Sequence, residues 1–259
     1  MKIFINILLL LFPFLFSGVG NSIICNNKEF FNNEEFVYEV SYGPLKIGQI
    51  RMKIIDIVEN NDGEQFVAKA YIDSYSWVPF VDLHHIMETY VNKNLYANHF
   101  KYYEKEENKT KYTEYKINYN YKTLRVIKGY VKGEVLVDTT YIIKDKLQDG
   151  LSLYYFARAY SGSNTQKSVN CFIIEKFGTA DIHFTQIKKY IELGTSTQVK
   201  CNYLYGKANF IGIFGLTGDF NGWFTDDIYG LPIEASLKVI LGSVNVKLKS
   251  WNNKYWNPK

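Results

Sequence analysis

Cysteine, proline and histidine are scarce in this chain: 3, 5 and 4 of 259 residues, respectively. Three cysteines, Cys25, Cys171 and Cys201, allow at most one intramolecular bridge, which excludes a small scaffold stapled by disulfides. So few prolines leave no proline-rich linker to divide the chain. Nowhere do cysteines and histidines fall at zinc-ligand spacing. A Gly-Lys-Ser/Thr phosphate loop, a Gly-x-Ser-x-Gly elbow and a patterned Cys–His pair are all missing. No cofactor is expected, therefore, and no familiar catalytic motif. The formal net charge of +4 comes from interspersed Lys and Glu, as in 103–107 and 111–116, rather than from a basic block. Nucleic acid is not an expected partner.

What is present begins at the N-terminus. Met1-Lys2 leads into a nearly unbroken apolar run from Ile3 to Phe16, and Ser17 to Ser22 then turns small and polar. That order reads as a secretory signal peptide over residues 1–22, too short to span a bilayer, which asks for about 20 apolar residues. Export to a periplasmic or cell-envelope location follows as an expectation. Cys25 raises the question of a lipid anchor, but Ile24 stands where the lipoprotein signal wants a small residue.

Residues 23–259 read as one β-rich domain, long enough to bury roughly 70% of their unfolded surface. The aromatic share of 17%, with 22 Tyr and 18 Phe, favours strands. Phe36, Tyr38, Val40 and Tyr42 alternate with Glu35, Val37, Glu39 and Ser41, and further runs follow at 49–57, 65–73, 85–92, 110–121, 124–130, 135–143, 169–175, 181–193, 197–205 and 237–248. Between Asp145 and Tyr160 the period changes: Leu147, Leu151, Tyr154, Tyr155 and Arg158 recur at helical spacing, with Gly162 as a stop. The predicted fold is mainly β, a curved antiparallel sheet or open barrel with one central amphipathic helix.

Several residues invite chemistry and also admit plain structural readings. His84 and His85 are neighbours on a strand and point to opposite faces, so they do not share a metal without a bulge. Asp226 and Asp227 suggest an acid/base pair, but one of them more naturally caps a turn toward Gly230 and Pro232 while the other meets solvent or a lysine. The dense glycines Gly212, Gly215, Gly218 and Gly222 fit hairpins or bulges better than a phosphate cradle. Cys171 and Cys201 both sit in strand-like runs that adjacent strands could bring together, a disulfide being one arrangement and buried free thiols the other. Asn108-Lys109-Thr110 is a glycosylation acceptor only in a eukaryotic secretory route.

Three stretches together resemble an exported bacterial family, domain of unknown function 3108. They are Asn33 to Gly43 with Leu45-Lys46-Ile47-Gly48; Asp149 to Arg158; and Trp223-Phe224-Thr225-Asp226-Asp227 leading to Leu231-Pro232-Ile233, then Leu241 to Leu248. Asn33 departs from the glycine the family often places there. The resemblance implies export and a β-rich fold, supplies no catalytic residue, and makes Trp223, Asp226, Asp227 and Pro232 candidates for a structural corner. The expected function is a non-catalytic envelope module that binds an apolar or amphipathic ligand such as lipid. An envelope protein-protein interaction or assembly factor is the alternative, and an enzyme would need some of His84, Glu88, His183, Asp226 and Asp227 to converge.

Overall fold

Period-two alternation covers most of the chain, and the described residues form fourteen strands and one helix. The computed structural model describes residues 34–60, 63–79, 82–194, 197–212, 215–240 and 242–258. The segment 1–22, read from the sequence as a signal peptide, Cys25 and Asn33 lie outside these residues. The strands are β1 (Glu35–Tyr42), β2 (Leu45–Asn60), β3 (Gly63–Ser74), β4 (His84–Asn92), β5 (Ala97–Lys105), β6 (Thr110–Asn118), β7 (Thr123–Tyr130) and β8 (Val135–Ile142), followed by α1 (Gly150–Tyr160) and then β9 (Gln166–Ile173), β10 (Lys176–Leu193), β11 (Thr197–Ala208), β12 (Leu216–Thr225), β13 (Pro232–Val239) and β14 (Ser243–Asn252).

All fourteen join one antiparallel sheet, ordered from β8 down to β1 and then from β14 down to β9. Every pairing is a sequence-adjacent meander except β1 with β14, where Glu35 faces Asn252. The sheet curls without closing. Its ends approach each other through side chains: Tyr141 of β8 lies 5.8 Å from the Phe172 ring of β9, and Lys128 of β7 meets Glu175 at 2.7 Å. The backbone edge of β9 is covered by Gln148, which exchanges hydrogen bonds with Asn170 and Phe172. The other edge, β8, is exposed along nearly its whole length.

The helix starts later than its periodicity suggests. Residues 147–148 stay extended because they pair with β9 and with Ala97, and Asp149 then caps the helix, its Oδ1 accepting from the Leu151 and Ser152 amides. Leu151, Ser152, Tyr155, Phe156 and Arg158 form the buried stripe. Tyr155 packs edge-on against Phe66 of β3, and burying each such aromatic contributes roughly 2–3 kcal/mol. The helix thus lies inside the curl of the sheet, toward the end where Glu35 and Asn252 meet, and closes it like a floor.

Two sequence readings change in the structure. The run 237–248 is not one strand: a turn ending at Gly242, with φ +79°, divides it into β13 and β14. The bridge considered for Cys171 and Cys201 does not form, and both are buried free thiols. Strand β10 lies between them, with Cys171 opposite Gly178 and Cys201 opposite Lys189. That offset is roughly 30 Å of strand, against about 5.5 Å between the Cα atoms of a disulfide. Burial pushes both thiols up to about 12, so they serve as small apolar groups.

Candidate functional site

Strand register defines the inward face row by row. One row crosses the first half of the sheet through Tyr38, Ile50, Ile72, His85, Glu104, Lys111 and Tyr130. Across the second half, another runs Val40, Val246, Ala235, Gly222, Leu204 and Phe184, and the next Val244, Leu237, Phe220, Gly206 and Ile182. Below these rows the inward residues Phe36, Met52, Ala68, Ala70 and Met87 are buried around the helix. Above it Val40, Ile50, Ile72, Val244, Val246, Leu237 and Phe220 remain only half-buried although they point inward. Ile50, Ile72, Phe220 and Val246 still touch the core, so the upper part of the curl is a shallow, partly filled basin with an apolar wall and a helical floor.

The opposite wall is ionisable. Tyr102 stacks on His85 and their Oη and Nδ1 atoms lie 2.5 Å apart. Burial raises the Tyr102 hydroxyl well above its ordinary value and lowers His85, with Glu104 opposing and His84 assisting the latter. The phenol accordingly keeps its proton beside a neutral imidazole, and the His85 tautomer sets which of the two donates. Beside them, Glu175 reaches in from the β9–β10 turn to accept from Tyr115 at 2.8 Å and Lys128 at 2.7 Å. That turn is unusual: Ile174 and Glu175 both have positive φ, +49° and +53°. For a β-branched residue this conformation costs about 1–3 kcal/mol.

The lowered His85 has a consequence for stability. Its unfolded form takes up a proton first, so the stabilisation it carries is present at neutral pH and is lost as pH falls below about 6.5. His99, lowered by burial against its Glu114 partner, acts in the same direction. Stability should fall more steeply between about pH 7.5 and pH 5.5 in the native chain than in His85→Gln, where only the His99 part remains. Urea unfolding at the two pH values measures the difference, and equal slopes would remove His85 from this role.

Beneath the floor, the corner residues gather. The Thr225 hydroxyl donates to Asp227 Oδ1 at 2.6 Å, the amides of Tyr229 and Gly230 donate to the same oxygen, and Trp256 Nε1 donates to Oδ2 at 3.0 Å. Asp226 turns the other way, toward Lys188, Lys200 and Asn202, and the Lys188 hydrogen bond holds its carboxyl below the usual range. Pro232 opens β13 opposite Phe224, while Trp223 faces Tyr203 on the outer surface with Lys189 over its ring. Gly230 has φ +51°, and a Cβ there would lie 2.3 Å from the carbonyl oxygen of Arg158 at the end of α1. Gly230→Ala should cost about 2 kcal/mol or more, read as a lowered urea midpoint.

The groups considered for catalysis are scattered. His84 contacts Asp73 and Asp82, Glu88 sits on the outer face between Lys69 and Lys101, and His183 stacks on Tyr205. β4 lies far from β10 and β12 in the sheet order, and although β10 and β12 flank β11, His183 is in register with Tyr205 and Asn221, four positions along β12 from Thr225 and the Asp226–Asp227 corner. Among the described residues no three His, Cys, Asp or Glu side chains group to hold a metal ion. A second concavity of about 380 Å³ lies on the outer face, lined by Tyr90, His99, Lys116 and Arg125 among others. Its charges are already engaged, His99 and Lys116 by Glu114 and Arg125 by Asp138.

A family model described as protein of unknown function DUF3108 matches residues 37–249, which takes in the sheet, the helix and the corner. The chain belongs to this family. A crystal structure of a beta-barrel-like protein of domain of unknown function DUF1849 from Brucella abortus is similar to it, with a TM-score of 0.55 and 10% identity over 87% of this chain and 99% of that one. At that identity the likeness concerns the fold alone. A comparison with curated proteins finds no match. Within this DUF3108 chain, sequence reasoning treated His85 as an ordinary histidine and passed over Tyr102, Lys128 and Glu175. No local signal marks them, since only pairing between strands brings them to one wall.

Proposed function

We propose that this DUF3108 protein is an exported, non-catalytic binding module for an amphipathic ligand such as a lipid. The observation that carries the reading is the half-buried apolar wall above the helix. Inward-facing Ile50, Ile72, Leu237, Phe220 and Val246 would gain from contact with an apolar chain, at roughly 25 cal/mol for each Å² removed from water. The wall of His85, Tyr102, Lys128 and Glu175 offers donors and acceptors to a polar head. Charged outer positions, among them Lys69, Glu88, Lys101 and Arg125, suit water on the other side of the sheet. Among the described residues no helix is long and apolar enough to cross a membrane. Export rests on the apolar run of residues 3–16.

The test is mass spectrometry of an organic extract from protein purified without detergent from the cells that produce it. A near-stoichiometric amphipathic molecule is the expected result, and folded protein with an empty extract would remove the reading. In that case the alternative, an envelope interaction or assembly factor, gains from β8. This strand leaves its edge uncovered and exposes Val135, Leu136 and Val137, an arrangement suited to pairing with another chain.

A further inference from the structure

Seven connections lie on the mouth side of the strands, and six of them carry a large, partly exposed apolar side chain, Phe177 of the lower-lying β9–β10 turn also packing against Phe172 and Tyr141. Leu45, Trp77, Val131, Phe177, Ile211 and Ile240 stand at or beside the turns β1–β2, β3–β4, β7–β8, β9–β10, β11–β12 and β13–β14, and all are between 45 and 70% exposed. Only the β5–β6 connection, residues 106–109, is polar. At the floor end, among the described residues, the connections, the end of β8 and the C-terminal tail expose Tyr121, Ile142, Ile228 and Tyr255, fewer than at the mouth. Exposed apolar residues scattered singly need no explanation, but a ring of them around one opening does.

The β9–β10 turn adds an independent observation. Its two central residues are left-handed, the hairpin geometry that ordinarily selects Asn-Gly, yet Ile174 occupies the first position with its side chain exposed. Local conformation and solvation both disfavour isoleucine there.

We propose that this rim is a membrane-docking surface, seating the barrel mouth-down on a phospholipid bilayer. The purpose of docking, passage of ligand between bilayer and basin, rests on the function proposed above. The rim chemistry itself does not. The apolar groups sit on separate turn tips rather than in one continuous patch, so a folded partner would need a matching socket for each, whereas a fluid interface admits every tip independently. Tryptophan favours that interface, and the exposed Lys132 and Lys176 beside the tips can face headgroup phosphates. Glu134 and Asp82 on neighbouring turns offset the lysines, so apolar insertion dominates and binding should depend only weakly on salt.

Flotation with vesicles of phosphatidylcholine and phosphatidylglycerol, in roughly a 3:1 ratio, tests the proposal on protein prepared without detergent. The native chain should float, and Trp77→Ser with Ile240→Ser should lower its partitioning about tenfold or more. Ile174→Asn should weaken flotation while leaving thermal stability equal or higher, a combination that a purely structural role does not give. Ile55→Ser, outside the rim, should float like the native chain. Every variant keeps residues 1–33, so affinity residing there is common to all. Native protein that stays unbound, or rim variants that float as well as the native chain, would overturn docking. So would rim-dependent self-association in sedimentation without vesicles, because the rim would then be a contact between copies. A chain whose basin is filled by Ile72→Trp and Val246→Trp should still float after losing its extractable ligand, so failure of the basin and failure of the rim are separable.

Discussion

Arg158→Met should destabilise the fold by about 3–5 kcal/mol, and adding Glu34→Leu should restore most of that loss. The two side chains are 0 and 1% exposed, and they meet in a bidentate pair at 2.6 and 3.1 Å. Arg158 also donates to the Tyr229 carbonyl at 3.3 Å, and Asn253 donates to Glu34 at 3.4 Å. The guanidinium thus fastens the end of the helix to the chain just before β1 and to the corner loop, and its carboxylate partner holds the C-terminal tail. Removing it alone leaves a carboxylate in a dry site. Replacing both partners removes that penalty, because desolvating two ions offsets most of what their attraction contributes. Against a total stability of about 5–15 kcal/mol, the single change is a large fraction.

The pH dependence of the single variant follows with a definite sign. Burial pushes the Glu34 carboxyl above its ordinary value, more than Arg158 and Asn253 draw it down. Without Arg158 it rises further. A native state that holds this proton more tightly than the unfolded chain gains stability as pH falls through the raised value. The Arg158→Met deficit should therefore shrink on acidification, while the double variant shows no such recovery. Urea midpoints across pH measure both effects. A double variant no better than the single would mean that packing around the arginine stem, not the orphaned charge, sets the cost.

Local signals made some of this architecture legible in the sequence. The helix is visible because Leu151, Tyr155 and Arg158 fall on one stripe, and the sheet because Phe36, Tyr38 and Val40 alternate with polar neighbours. Asp227 lies within three residues of the amides it accepts from, so a corner is readable without knowing the fold. Long-range pairing is different in kind. Glu34 and Arg158 are 124 positions apart, and nothing in either neighbourhood names the other. The same holds for β1 with β14 and for His85 with Tyr102. β5 was missed as a strand, and β12 carries Gly218 and Gly222, residues that read as turn, although Gly218 lies in the irregular register between Leu216 and Phe220. Which wall is apolar and which is ionisable depends on register alone.

That division of walls gives the second large effect, loss of ligand on filling the basin with Ile72→Trp and Val246→Trp. Both side chains are half-buried and face inward above the helix while still touching the core, so the larger rings extend into the basin and press in part on packed neighbours. Part of the penalty of about 1–3 kcal/mol typical of an overfilled core should therefore appear as a lowered urea midpoint. For the ligand the arithmetic is harsher. Each methylene buried from water contributes about 0.8 kcal/mol, and the two replacements together take up room for at least about four methylenes, so roughly 3 kcal/mol or more of binding is lost. Affinity should fall more than about 100-fold, enough to empty the organic extract of the purified variant. Ile55→Trp, on a position 41% exposed outside the basin, should leave the extract unchanged. Should the filled chain still carry its full complement of ligand, the apolar wall would not be the binding surface, and the uncovered edge of β8 would become the next place to look.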